Sequence, residues 1–154
     1  MPSSPPFDAA LDAKLRLLVG SYARLTGKPL LSHLPDDAAA LREVLWNAPF
    51  AIVAHGTEVD PVFFYGNEYA LRCFGMDFAE FARLPSRLSA EPLAQESREK
   101  VLKKVAEQGF IDGYSGMRIA SSGRRFMIAD CTIWNLRDAA GAHHGQAAVF
   151  VMAP

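Results

Sequence analysis

The sequence predicts an α+β fold built on one five-stranded antiparallel sheet, and three observations carry that expectation. The last third, 114–152, holds three apolar-rich runs separated by Gly-containing turns, the pattern of an antiparallel meander. Two shorter runs, PFAIVAHG at 49–56 and PVFFYGN at 61–67, supply an earlier pair of strands. Between the two groups, 68–108 carries helical signals alone, so it reads as a helical crossover.

The elements follow in order. Residues 1–6, MPSSPP, are expected to be a disordered tail, because prolines and serines there have nothing to pack. Residues 7–48 form an N-terminal helical extension. Leu11, Leu15, Leu18, Tyr22 and Leu25 recur every three or four residues and give helix 7–25 one apolar stripe, closed by Gly27 and Pro29. Asp36 or Asp37 caps a short second helix with Leu41, Val44 and Leu45 inward, ended by Pro49. The core, 49–154, makes one domain with this extension. Its strands are placed at 50–55, 61–65, 112–120, 124–136 and 145–152. Asn67 is expected to cap helix 68–74, Asp77 to start a helical turn stopped near Pro85, and 90–108 to form the long helix ended by Gly109. Glu91 and the Lys103/Lys104 pair suit its dipole, and Leu93, Val101, Leu102 and Val105 form its buried side. Ser121-Ser122-Gly123 is a hairpin turn followed by the basic pair Arg124/Arg125. Two strands, a helical crossover and a three-strand meander is the order of a PAS-like domain.

In 125–136, strict alternation puts Phe126, Ile128, Thr132 and Trp134 on one face and Met127, Ala129, Cys131 and Ile133 on the other. Both faces are largely apolar, so both should be covered. The helices of 68–108 cover one, and helix 7–25 or a second copy of the chain covers the other.

Composition narrows the function classes. Half of the 154 residues are hydrophobic, 21% are charged and the net charge is −1, a globular balance with no basic face for nucleic acid or an anionic membrane. No leader and no run of about 20 apolar residues is visible, and the two cysteines, Cys73 and Cys131, suit a reducing cytoplasm.

The strings LLVGSYARLTGKPLL, ALREVLWNAPFAIVAHGTEVDPVFFYGNEYALRCFGM, FARLPSRLSAEP, GYSGMRIASSGRRFMIADCTIWNL and GQAAVF resemble the MEKHL domain family over residues 15–151. That family is described as PAS-like. It is found as stand-alone bacterial proteins and at the C-terminus of plant class III homeodomain–leucine zipper transcription factors, where it is thought to sense a cue and restrain dimerisation. The resemblance implies the fold and a sensing or binding role. It does not imply a chemistry.

Read against cofactor chemistry, the residues give little. Flavin-adduct light sensors of this fold carry an Asn-Cys-Arg-Phe-Leu-Gln type motif, and the nearest string here, Leu71-Arg72-Cys73-Phe74, falls one helix early and lacks the Asn and Gln. The long helix offers no His for haem iron. Haem and covalent flavin are therefore disfavoured and the cofactor is left unassigned. His143-His144, between Gly141 and Gly145, reads as an exposed turn and not a metal pair.

The expectation that remains is a sensory or regulatory module, cytoplasmic and homodimeric, binding a small apolar or aromatic molecule or a protein partner. A ligand pocket between the crossover helices and the central strands is assigned to Tyr65, Phe74, Tyr114, Arg118, Cys131 and Trp134, with His55, Asn67, Arg125 and Asp130 as polar candidates. Asp130, read as buried mid-strand, should pair with Arg118, Arg124 or Arg125. The alternatives are a small α+β enzyme in which His55 works with Asp60 or Asp130, and a ligand-free interaction module.

Overall fold

The computed structural model describes residue 5 and residues 7–90 and 92–153, with only the backbone for 92–98 and 102. The expected tail at 1–6 lies outside the described residues except for Pro5, which is buried, and Glu91 and the side chains of Leu93 and Leu102 lie outside them too.

Local capping sets most helix ends. Asp8 accepts from the Leu11 amide at 2.8 Å to start α1 (Ala9–Thr26), and Gly27, at φ 76°, turns the chain out of it. Asp37 accepts from Ala40 at 3.0 Å at the head of α2 (Ala38–Trp46). The carboxylate of Asp12 in α1 receives Nε of Arg42 in α2 at 2.6 Å, tying the two helices together. Strands β1 (Ala51–His55) and β2 (Phe63–Gly66) follow, then α3 (Glu68–Phe74), the one-turn α4 (Phe78–Phe81), a 3-10 turn at Ser86–Ser89 and α5 (Pro92–Gln108). A reciprocal Asp77–Glu80 capping box holds α4, which is shorter than the expected run to Pro85.

The remaining strands are β3 (Phe110–Ile119), β4 (Arg125–Arg137) and β5 (His143–Met152). All five form one antiparallel sheet in the order β2-β1-β5-β4-β3. The Ala120–Arg124 turn closes the β3–β4 hairpin as its Ser-Ser-Gly sequence predicts, with the Ala120 amide on the Arg124 carbonyl at 2.8 Å. Strand β5 starts earlier than 145, so His143 and His144 stand at the head of a strand and not in a turn. Both are exposed, and His144 Nε2 meets Asp138 Oδ2 at 2.8 Å.

The largest departure from the sequence reading is in β4. Asp130 has φ 51°, the positive φ found at no other described non-glycine residue, and pairing with both β3 and β5 shifts register beside it. The extra residue is a β-bulge, and it reverses the alternation downstream. Phe126, Ile128, Cys131 and Ile133 therefore share the inner face, towards α3–α5, while Thr132, Trp134 and Leu136 face α1. Strict alternation had grouped Trp134 with Ile128 and Cys131 with Met127, and the bulge overturns both assignments. Asp130 itself is exposed on the outer face. It is solvated there, so the buried ion pair expected of it is not required.

Asp and Asn tolerate this backbone region, and β-branched residues do not. Asp130→Gly should leave stability within a few tenths of a kcal/mol, whereas Asp130→Val should cost about 1–2 kcal/mol, read by urea unfolding.

The core lies on both sides of this sheet. On the inner side Phe74 meets Phe126, Phe150 and Phe81 edge-on or tilted, and Phe63 stacks on Phe81 at 4.2 Å. On the outer side α1 packs over β4: Trp134 Nε1 donates to the Leu18 carbonyl at 3.3 Å, and its ring meets Tyr22 edge-on at 4.9 Å. Of the two candidates for that face, the in-chain helix covers the Trp134 end. No helix among the described residues is long and apolar enough to cross a membrane.

Candidate functional site

Asn67 is the polar centre of the molecule. Its side chain is fully buried and makes all the hydrogen bonds an amide can make. Oδ1 accepts from Ala70 at 3.1 Å, the expected helix cap, and also from Ile52 of β1 at 3.0 Å. Nδ2 donates to the Leu45 carbonyl of α2 at 3.0 Å and to the Phe50 carbonyl at 2.9 Å. One residue thus locks α2, β1 and α3 together. Its hydrogen bonds are saturated by these three elements, and it is not among the residues lining the cavity beside it.

Beside this joint, between the inner sheet face and the α3 and 3-10 segments, lies a cavity of about 50 Å³. Its apolar walls include Val53, Phe74, Ile128, Ile133, Ala148 and Phe150, from β1, α3, β4 and β5. Five polar groups also reach it: His55, Ser89, Arg118, Cys131 and Gln146. Gln146 is oriented by donating Nε2 to Asn135 Oδ1 at 3.2 Å, and Asn135 is in turn anchored to the Val105 carbonyl of α5 at 3.1 Å. Ser89 donates to the Ser86 carbonyl at 2.6 Å, and His55 Nδ1 lies 2.9 Å from the Gly56 carbonyl oxygen. Gly145 is what lets β5 pass this close to His55, since a Cβ there would sit 2.1 Å from the His55 carbonyl oxygen.

Of the side chains the sequence singled out, His55, Phe74, Arg118 and Cys131 meet at this cavity. Trp134 and Asp130 lie on the opposite face of the sheet because of the bulge, and Arg125 is exposed at the start of β4. Tyr65 is buried under α4 against Phe78, with its hydroxyl lacking a partner among the described residues and its pKa raised by burial. Tyr114 lies alongside Arg118, ring to guanidinium, at 5.7 Å. Ile133 and Gln146 were missed, because both depend on the parity of β4 and its register with β5. The signal was available: Asp is a poor residue for the middle of a strand, and a bulge is the common reason to find one there.

Burial pushes the Cys131 thiol up to about 12 and the Cys73 thiol up to about 11. Neither is a thiolate near neutral pH, so neither is poised as a nucleophile. At pH 8 both should react with a thiol reagent at least about a hundredfold more slowly in the folded protein than in denaturant. Rapid native labelling of either would contradict their placement.

Neither acid considered for His55 is among the described residues that line the cavity. Asp60 is engaged by Arg87 at 3.0 Å, Asp130 is on the far face, and the described His–Asp contact, His144 with Asp138, is at the surface.

The outer face carries a second, wider groove of about 290 Å³, between the end of α1, the 27–30 segment and the sheet. Tyr22, Leu30 and Phe50 line it, with Lys28 and Asp130 at its edge.

Comparison with known proteins agrees with this architecture. The family model of the MEKHLA domain matches residues 12–153. A curated relative, homeobox-leucine zipper protein HOX9 of Oryza sativa, is 26% identical over 126 residues, covering 79% of this chain and 14% of its own length. The chain therefore spans only a small part of that relative. Among solved structures, an RNA-binding light-oxygen-voltage receptor superposes with a TM-score of 0.67 at 16% identity, covering 81% of this chain and 36% of its own. A PAS domain from Colwellia psychrerythraea gives 0.65 at 15%, covering 76% and 98%. The light-state dimer of the fungal photoreceptor Vivid gives 0.60 at 15%, covering 95% of each. At these identities the likeness establishes the fold.

Proposed function

The chain belongs to the MEKHLA domain family, and from that premise we propose that it is a regulatory module that senses a small molecule in the inner cavity and reports it through α1. The observation that carries this reading is the arrangement on β4. Ile133 faces the cavity and its neighbour Trp134 holds α1 by a hydrogen bond and a ring contact on the other side. Any occupant that displaces Ile133 pulls on the residue that seats the helix. A ligand with different affinity for the two seatings of α1 shifts their populations by that difference.

Output by this route goes through contact with another protein, and we propose that the partner is a second copy of the chain. The outer groove beside α1, where Tyr22, Leu30 and Phe50 adjoin Lys28 and Asp130, is the surface that such a copy would cover. The light-state dimer among the structural neighbours is a likeness of fold and leaves this pairing to be tested.

The experiment is an amide-shift titration of labelled protein with neutral and charged compounds of up to about six heavy atoms, a size suited to so small a cavity. The reading expects saturable shifts at Val53, Ile133 and Ala148 that extend to Leu18–Tyr22. Shifts that never reach α1, or none at all, would overturn it. Sedimentation velocity at high micromolar concentration tests the dimer, which a monomer throughout would refute.

A further inference from the structure

Arg118 is a buried cation with no counter-ion among the described residues. It is 7% exposed, and the inner cavity is bounded partly by its side chain. Its described contacts are Nη1 donating to the adjacent Met117 carbonyl at 2.9 Å and the guanidinium lying over the Tyr114 ring, 5.7 Å from its centroid. No described carboxylate lies in salt-bridge range of it. A guanidinium carries five donors, and the contacts seen satisfy only part of that capacity. Leaving a charge buried and unpaired is expensive, and such sites are normally completed by an anion.

The rest of the cavity narrows the choice. At about 50 Å³ it takes a ligand of a few heavy atoms and no more. The apolar lining includes Phe74, Ile128, Ile133 and Phe150, which suit a short alkyl chain. Gln146 also lines the cavity with an amide able to donate.

Building on the sensing role proposed above, we propose that the cavity binds a short-chain carboxylate of two to four carbons, its carboxylate on Arg118 and its alkyl end against Ile133 and Phe150. A planar guanidinium matches a carboxylate in geometry as well as charge, which a halide would not exploit.

The test uses the full chain with sodium acetate and propionate, compared with acetamide and propionamide at constant ionic strength set with sodium chloride. Amide shifts at Ile133 and Ala148 are read. The proposal expects saturable binding of the acids and at least about tenfold weaker binding of the amides. Arg118→Met should keep the fold, since an apolar side chain of similar length replaces a charge with no described counter-ion, and should lower acid affinity about tenfold or more. If that variant does not fold, the acid–amide comparison in the native chain still decides. Equal binding of acids and amides, or chloride competing as well as acetate, would overturn the carboxylate assignment and leave the cavity reading standing. No binding of either series at 100 mM, with other small neutral compounds binding the same amides, would again overturn only the carboxylate. Silence from every compound would overturn both.

Discussion

Replacing Asn67 with alanine is expected to cost about 3–6 kcal/mol, a large share of the 5–15 kcal/mol that holds a domain of this size. The estimate follows from what is left behind. The Ile52 amide and the Phe50 carbonyl lose their side-chain partner, the Leu45 carbonyl keeps only the Asn47 and Ala48 amides, and α3 loses its cap. Orphaned buried groups cost about 1–3 kcal/mol each, and a lost cap about 1 kcal/mol. The effects are not additive, because the three elements are free to shift once the joint is gone.

Asn67→Asp gives a sharper version of the same experiment. It keeps the acceptor for Ile52 and Ala70 but turns a second oxygen towards two carbonyls. The carboxylate is disfavoured in the fold, so its folded pKa is raised above the unfolded value. This variant should therefore gain stability as pH falls towards 4, opposite to the acid behaviour of a paired carboxylate. Urea unfolding of both variants between pH 4 and pH 8 measures this. A cost under about 1 kcal/mol for Asn67→Ala would refute the joint.

Trp134→Ala is the second large effect, at about 3–5 kcal/mol. The ring is fully buried, and its removal leaves a cavity under α1 and takes away both the hydrogen bond to Leu18 and the contact with Tyr22. The damage should be local before it is global. Hydrogen exchange in α1 should accelerate more than exchange in β1 or β5. Trp134→Phe keeps most of the apolar area and should cost about 1–2 kcal/mol, because the Leu18 carbonyl remains within helix α1. Uniform acceleration across the sheet would mean that Trp134 supports the whole core and not the helix alone.

These two residues also mark how far the sequence could be read. The cap at Asn67 was legible, because an Asn leaving a strand ahead of an apolar helix has one common local role. Its bonds to Ile52, Leu45 and Phe50 were not, since they join residues 15 to 22 positions away and no local pattern encodes them. The strands were legible from alternation, and the sheet formed as their order required. The facing of β4 was not, because one residue at Asp130 inverts every side chain after it. That inversion took Trp134 out of the cavity and brought Ile133 in. Cys131 was assigned to the pocket and grouped with Ile133 opposite Ile128. The structure puts all three on the cavity face.

The account turns on one coupling, from the inner cavity through β4 to α1, and filling the cavity by mutation tests it without knowledge of any ligand. Ala148 lines the cavity, and Ala148→Val adds two carbons to it. Hydrogen exchange at the amides of Leu18–Tyr22 is then compared between this variant and the native chain. The account predicts a change of about threefold or more in α1, at matched global stability. Changes confined to the cavity strands, with α1 exchanging as before, would contradict it.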